Sequence, residues 1–170
     1  MRRILTINRV ILAHVAVLAV LVGVAAATAL HAQSSNGLPR FASLGSDKVN
    51  MRAGPGKRYP VNWTYVRQGL PMKIVGEHQD WRRVQDADGT VGWVHRALLS
   101  VRRTAVVTGA VRPLFADPDP TSLPVLLAEP NVLGRVLACR GGWCQMRIKD
   151  REGWIRRVHV FGVLDAEDFD

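Results

Sequence analysis

Hydrophobic and polar positions alternate in short runs along most of this 170-residue chain. Val49 and Met51 alternate with Lys48, Asn50 and Arg52, the period of a half-buried strand, and predict one over about 47–52. Further runs predict strands at 63–66, 72–75, 81–85 and 90–95, the last two joined by an Asp88-Gly89 hairpin signal. After the first strand, Ala53-Gly54-Pro55-Gly56 opens a long loop through Tyr59-Pro60, because proline fixes φ and glycine admits angles that other residues resist. The same order then returns. A run at 105–112 leads into a loop holding Pro113, Pro118, Pro120 and Pro124, followed by runs at 125–128, 133–138, 143–148 and 153–157, with a turn at Arg140-Gly141-Gly142. Neither half calls for a long helix.

The second half therefore reads as a copy of the first. Sliding the sequence by 62 positions sets Val49 on Val111, Ile74-Val75 on Val136-Leu137, Trp81 on Trp143 and Val84 on Met146. Gly92-Trp93-Val94 then falls one residue from Gly153-Trp154-Ile155, an offset that a hairpin one residue shorter explains. A repeat of about 60 residues directs the reading toward binding modules rather than one enzyme fold. Five short strands with one long early loop per copy predict an all-β chain of two small antiparallel barrels, at 43–101 and 105–164. With only Ser100 to Thr104 between them the barrels are expected to touch. Modules of this size have small cores and gain from mutual packing or a covalent cross-link.

The N-terminus departs from this pattern. Arg2, Arg3 and Arg9 precede or open onto an uncharged stretch from Val10 to Leu30, the layout of a secretory signal over 1–32. Small-residue cleavage sites lie after Ala29 and after Ala32, the second preferred because Gln33 begins a polar tract; 33–42 reads as a flexible tether. If it stays uncleaved, about 21 residues at a rise of about 1.5 Å reach roughly 30 Å, enough to anchor the chain in a bilayer. Membrane contact would then run through this segment alone, and either way the rest of the chain is expected outside the cytoplasm, in the periplasm or cell envelope. The formal charge of +9 falls to +6 on processing, since 1–32 contains three arginines and no acid, and the chain stays basic. Asp165, Glu167, Asp168 and Asp170 make 165–170 an acidic tail behind a basic body. Such a body favours anionic surfaces, although its basic residues are scattered pairs that ordinary solvation also accounts for. Nucleic acid is not the expected partner of an exported protein.

Cys139 and Cys144 lie on either side of the predicted tight turn, where facing cysteines close a disulfide, and export favours oxidation. A redox-active pair would need the C-x-x-C spacing and a helix terminus to lower a thiol pKa, and both are missing from the reading. His78, His95 and His159 are dispersed, so no metal site is expected. Asp86 and Asp88 flank a turn and Asp117 and Asp119 sit in a proline-rich loop; no nucleophile, base and orienting acid come together. The glycine loop lacks the lysine and following helix of a phosphate cradle. The chain is expected to be no enzyme and to need no cofactor.

Trp81, Trp93, Trp143 and Trp154 recur at matched strand positions and are assigned mainly to the two cores. Trp63 has no matched tryptophan, position 125 being Val. With Tyr59 and Tyr65 it follows the long loop, and that trio is the candidate binding face, since aromatic rings offer both apolar area and polar edges. Arg52 and Arg58, close by in sequence, supply forks for carboxylates.

The opening Val49-Asn50-Met51-Arg52-Ala53-Gly54-Pro55, Trp81 with Val84, and the closing Gly92-Trp93-Val94 resemble the bacterial SH3 domain family, often called SH3b. The second half keeps Trp143-Cys144 and Gly153-Trp154-Ile155 but opens on Val111-Arg112-Pro113, so it resembles a divergent copy. Its Cys139, Cys144 and Phe161-Gly162-Val163 are similar to a tandem SH3 arrangement in exported proteins of Gram-negative bacteria. The resemblance implies small barrels that bind without chemistry, the expected ligand being peptidoglycan or its peptide stems. The alternative is a periplasmic adaptor that docks an envelope enzyme or secretion partner.

Overall fold

In the computed structural model, which describes residues 37–170, each half forms a seven-stranded antiparallel sheet. The expected signal segment 1–32 and residues 33–36 of the expected tether lie outside the described residues. The first sheet comprises β1 (Arg40–Leu44), β2 (Val49–Arg52), β3 (Val61–Tyr65), β4 (Pro71–His78), β5 (Trp81–Gln85), β6 (Val91–His95) and β7 (Leu99–Ser100), with a 3-10 turn at Arg96–Leu98. The second comprises β8 (Thr104–Val107), β9 (Arg112–Phe115), β10 (Pro124–Ala128), β11 (Leu133–Arg140), β12 (Trp143–Ile148), β13 (Arg151–Arg156) and β14 (Val160–Phe161), with a 3-10 turn at Arg157–His159. Strand order is β3-β2-β6-β5-β4-β1-β7 in one and β10-β9-β13-β12-β11-β8-β14 in the other. Each strand of the second sheet thus takes the place of the strand seven earlier.

Four sequence expectations are corrected. The tether ends earlier than read: Arg40, Phe41 and Ala42 pair with Ile74, Lys73 and Met72. The run at 105–112 is two strands, β8 and β9, parted by a turn in which Gly109 adopts φ +76°. Val111, aligned on Val49, is consequently half exposed in that turn. Arg52 pairs with Trp93 and Phe115 with Trp154, so Met51 corresponds to Leu114 and Val49 to Arg112. Short strands flanking each 3-10 turn and the separate first strands raise the count per half from five to seven.

Six strands of the first sheet, β1 to β6, contribute to one core of Leu44, Val49, Met51, Tyr65, Met72, Ile74, Val84 and Val94. A single sheet can bring six strands to one cluster only by curling around it, which makes the half a small barrel. The second core gathers Ala105, Val107, Leu114, Ala128, Val136, Cys139, Cys144, Met146, Ile148, Ile155, Val160 and Val163. Val84 lies opposite Gly92 and Met146 opposite Gly153, so the repeated glycine faces inward. A Cβ at Gly92 would stand 2.5 Å from Met51 Cγ, and one at Gly153 would stand 2.8 Å from Leu114 Cβ. The glycine of each Gly-Trp pair exists to let the hairpin close on the core strand.

The repeated tryptophans, expected in the cores, divide: Trp143 and Trp154 are buried, whereas Trp81 and Trp93 are only half-buried. Trp81 is three residues from Val84 and Trp93 adjoins Val94; with side chains alternating along a strand, both point away from the core. Trp143 and Trp154 hold the matching strand positions beside Met146 and Ile155 but are buried.

The barrels belong to one compact unit, 37–170. The Thr104 hydroxyl donates to the Gly69 carbonyl at 2.5 Å and lies 2.6 Å from Ser43 Oγ, all three residues coming from the seam. Phe41 and Phe161 meet edge to face at 5.0 Å, and Arg67 donates to the Asn131 carbonyl. These contacts join the halves across the three-residue link 101–103.

Cys139 and Cys144 form the expected disulfide, paired directly across the β11–β12 hairpin with Cα atoms 4.1 Å apart. The acidic tail is a docked strap. Phe169 exchanges two backbone hydrogen bonds with Cys139, at 2.8 and 2.9 Å, and its ring lies under the Arg103 guanidinium. Arg157, 6% exposed, donates to the Asp165 carbonyl and the Asp168 carboxylate, and Arg103 pairs with Glu167 at 2.5 Å. The Arg157 bond holds the Asp168 carboxyl below its ordinary value. Burial pushes Glu167 up, but bonds from Arg103 and the Leu164 amide outweigh it and leave that carboxyl lowered too. Depressed carboxyls stabilise the strap above their unfolded values, near pH 4, and that contribution is lost as pH falls through the folded ones. Amide exchange of Phe169 and Cys139, corrected for intrinsic rates, should therefore show weaker protection at pH 2.5 than at pH 6, the two ends of a range chosen to straddle about pH 4. Equal protection would mean that backbone pairing and ring packing hold the strap alone.

Candidate functional site

The loop after β2 is built around Arg52. Its Nη1 donates to the carbonyls of Lys57 at 3.1 Å and Tyr59 at 2.7 Å, while the Ala53 amide donates to the Pro60 carbonyl at 3.1 Å. The Tyr59 ring fills the space over Gly54, where a Cβ would stand 2.5 Å from it. Arg58 lies over the Tyr59 ring, its guanidinium carbon 5.4 Å from the centroid. Arg52 thus holds Lys57 at a set place on the barrel wall, which the sequence motif alone did not reveal.

Of the five residues expected at a binding face, the structure joins Arg52, Arg58 and Tyr59 in this loop and Trp63 with Tyr65 on β3, their rings 6.5 Å apart. Tyr65 is not a surface residue. It is 7% exposed in the first core, and its hydroxyl donates to Asp86 Oδ2 at 2.7 Å. Burial, then that bond, pushes its phenol well above the ordinary value. Trp63, 57% exposed on edge strand β3, lies opposite Met51; its counterpart in the second sheet is Leu126, opposite Leu114.

A groove of about 350 Å³ runs along the outer face of the first barrel, lined by Lys48, Asn50, Arg52, Lys57, Trp81, His95, Ala97 and Leu98. Trp81 packs edge to face on His95 at 5.3 Å. His95 Nδ1 accepts from the Ala97 amide at 3.3 Å, which in the neutral ring leaves Nε2 as the donor. The three cations line a wall without a carboxylate, and among the described residues none of them is in an ion pair. Two other clefts have their charged groups largely paired, whereas a third, at the seam, is lined by Arg102 and Arg135, which have no ion pair among the described residues. In the larger one beside β1, Arg40 and Arg82 pair with Glu77, Arg96 with Asp80 and Arg103 with Glu167. At the seam, Asp86 accepts from Tyr65 and from the amides of Asp88 and Thr90.

The second barrel carries the same outer face in closed form. By register Lys48, Arg52, Lys57 and His95 become Val111, Phe115, Pro120 and Arg156. Phe115 packs edge to face on Trp143 at 5.9 Å, Arg156 covers the Trp143 ring at 4.4 Å and Arg140 covers Trp154 at 4.7 Å. Trp143 and Trp154 are accordingly 6% and 7% exposed, whereas Trp81 and Trp93 are only half-buried.

Sequence reasoning missed Lys48, Lys57, Trp81 and His95 as site residues. Alternation carried part of the signal, since Lys48, Asn50 and Arg52 must face opposite to Val49 and Met51. The β2–β6 pairing that sets Arg52 beside Trp93 joins residues far apart in sequence and leaves no local pattern.

The bacterial SH3 domain family matches residues 45–100 and 109–162, and the chain belongs to it. The chain is 26% identical over 130 residues to "Putative N-acetylmuramoyl-L-alanine amidase YrvJ" of Bacillus subtilis (strain 168), an alignment covering 70% of this chain and 25% of that protein. Among solved structures it is similar to NlpC1 from Trichomonas vaginalis, at 15% identity and a TM-score of 0.34, covering 76% of this chain and 48% of that one. It is likewise similar to an NlpC/P60 family protein from Bacillus cereus ATCC 10987, at 12% identity and a TM-score of 0.33, covering 71% and 55%. The chain thus spans about a quarter of the amidase relative and about half of each solved one.

Proposed function

We propose that this tandem bacterial SH3 protein is an exported binding module without enzymatic activity, and that it holds a cell-wall component, peptidoglycan or its peptide stems, on its first barrel. One observation carries the reading: the first barrel presents Lys48, Arg52 and Lys57 without acidic partners beside Trp81 and His95, while the second covers the matching surface. Cations free of ion pairs attract anionic polymers at range, and an aromatic wall adds contact area once the ligand arrives. The amidase relative supports a cell-wall ligand by its name; the likeness covers only a quarter of that protein.

The test is retention of residues 33–170 on purified sacculi at two salt concentrations. Retention should be clear at low ionic strength and fall at about 0.5 M salt, where screening shortens the reach of exposed charges to roughly 4 Å. No retention at low ionic strength removes the reading.

A second reading, docking to an envelope protein, is favoured by the exposed Val61, Trp63 and Val66 at edge strand β3. In-cell crosslinking from β3 should then yield one discrete protein and no wall material.

A further inference from the structure

We infer that the first-barrel groove selects a free terminal carboxylate on a peptide whose last residue carries a small apolar side chain. The inference rests on the cell-wall reading above and narrows it to one chemical group. Arg52 donates to the Lys57 and Tyr59 carbonyls through Nη1 alone, so its Nε and Nη2 have no acceptor among the described residues. A guanidinium fixed on one side presents a flat fork on the other, the geometry that meets a planar carboxylate with two parallel bonds. Lys57 is placed by the same guanidinium, since its own carbonyl is one of the two acceptors. Lys48 lines the same groove four residues before Arg52, on the same face of the β2 run, and His95 offers Nε2–H from a ring oriented by the Ala97 amide. Leu98 and Ala97 beside the Trp81 ring leave an apolar strip next to this polar end, suited to a small side chain and too shallow in polar groups for a second charge.

The second barrel serves as an internal comparison. Phe115 in place of Arg52 removes the fork, Pro120 in place of Lys57 removes its neighbour, and Arg156 covers the tryptophan. A duplicated surface that is open and cationic in one copy and aromatic and filled in the other ties the cations to a ligand rather than to the fold, because the fold stands without them.

The experiment titrates residues 33–170 with acetyl-alanyl-alanine as the free acid, with its C-terminal amide, and with inorganic phosphate, at low ionic strength, following Trp81 and His95 by NMR. Sacculus retention is measured on the same samples. The acid should shift both signals, with the amide at least tenfold weaker and phosphate weaker than the acid for want of the apolar contact. Because Arg52 also holds the loop, K48Q/K57Q is the primary variant; it leaves the Arg52 bonds intact and should weaken the acid several-fold while leaving the amide unchanged. R52Q, with its fold checked by amide dispersion, should abolish the difference between acid and amide. Equal affinity for acid and amide overturns the inference, as does phosphate binding as well as the acid or K48Q/K57Q binding the acid like wild type. If any of these occurs while sacculi still retain the protein, the cell-wall reading stands and only the carboxylate is wrong; loss of retention removes the reading itself.

Discussion

Replacing Gly92 by alanine is expected to destabilise the first barrel by about 2 kcal/mol, the middle of the range for overpacking a filled core. The added methyl would sit 2.5 Å from Met51 Cγ, 2.9 Å from its Sδ and 3.0 Å from the Arg52 carbonyl. Met51 is fully buried and has little room to swing away, and the carbonyl is backbone, so β2 must shift. That movement is transmitted to Arg52 and the loop it holds, so Gly92→Ala should also weaken ligand binding. Gly153→Ala meets Leu114 Cβ at 2.8 Å and the Phe115 carbonyl at 3.1 Å, and should cost a similar amount while sparing the ligand. Urea unfolding measures both. A change below about 0.5 kcal/mol, the range of ordinary surface substitutions, would show that the hairpin does not close on the core strand as described.

Removing the disulfide is expected to cost about 2 kcal/mol in the second barrel, from the chain-entropy estimate for so short a loop. Cys139 and Cys144 are fully buried in the second core, and Cys139 also carries the two backbone bonds to Phe169. Cys139→Ala/Cys144→Ala should therefore lower the urea midpoint of the second barrel and loosen the C-terminal strap together, with the groove of the first barrel unchanged. Reduced wild type should follow the double variant. Unchanged unfolding would mean that the hairpin and strap hold Cys139 without the bond.

Much of this architecture is written in local pattern. Val49 and Met51 reach the core as their alternation with polar neighbours requires, and the Cys139–Cys144 hairpin follows from a turn that two glycines announce. The Gly-Trp repeat was legible as a repeat, while its meaning was only half legible: Trp143 and Trp154 are buried as expected, but Trp81 and Trp93 stand an odd number of positions from a buried neighbour and line the half-open outer face. Strand β1 was hidden because Arg40–Leu44 follows a polar tract and pairs with β4 some thirty residues away, a contact that no short window registers. The site was hardest to read. Arg52 was visible as a fork, but Trp63 and Tyr65 drew attention by type alone, and Tyr65 belongs inside. Lys48, Lys57, Trp81 and His95 meet only because β2 pairs with β6 and the loop folds back on Arg52.

The central claim is that one barrel binds and the other supports. Amide-shift mapping of residues 33–170 during titration with solubilised cell-wall stem peptides tests it directly. Shifts should concentrate at Lys48 to Lys57, Trp81 and His95 to Leu98, with Arg112 to Pro120, Trp143 and Trp154 to Arg156 unmoved. Shifts of equal size on the second barrel's outer face, or confined to the seam around Gly69, Thr104 and Asn131, would contradict the account.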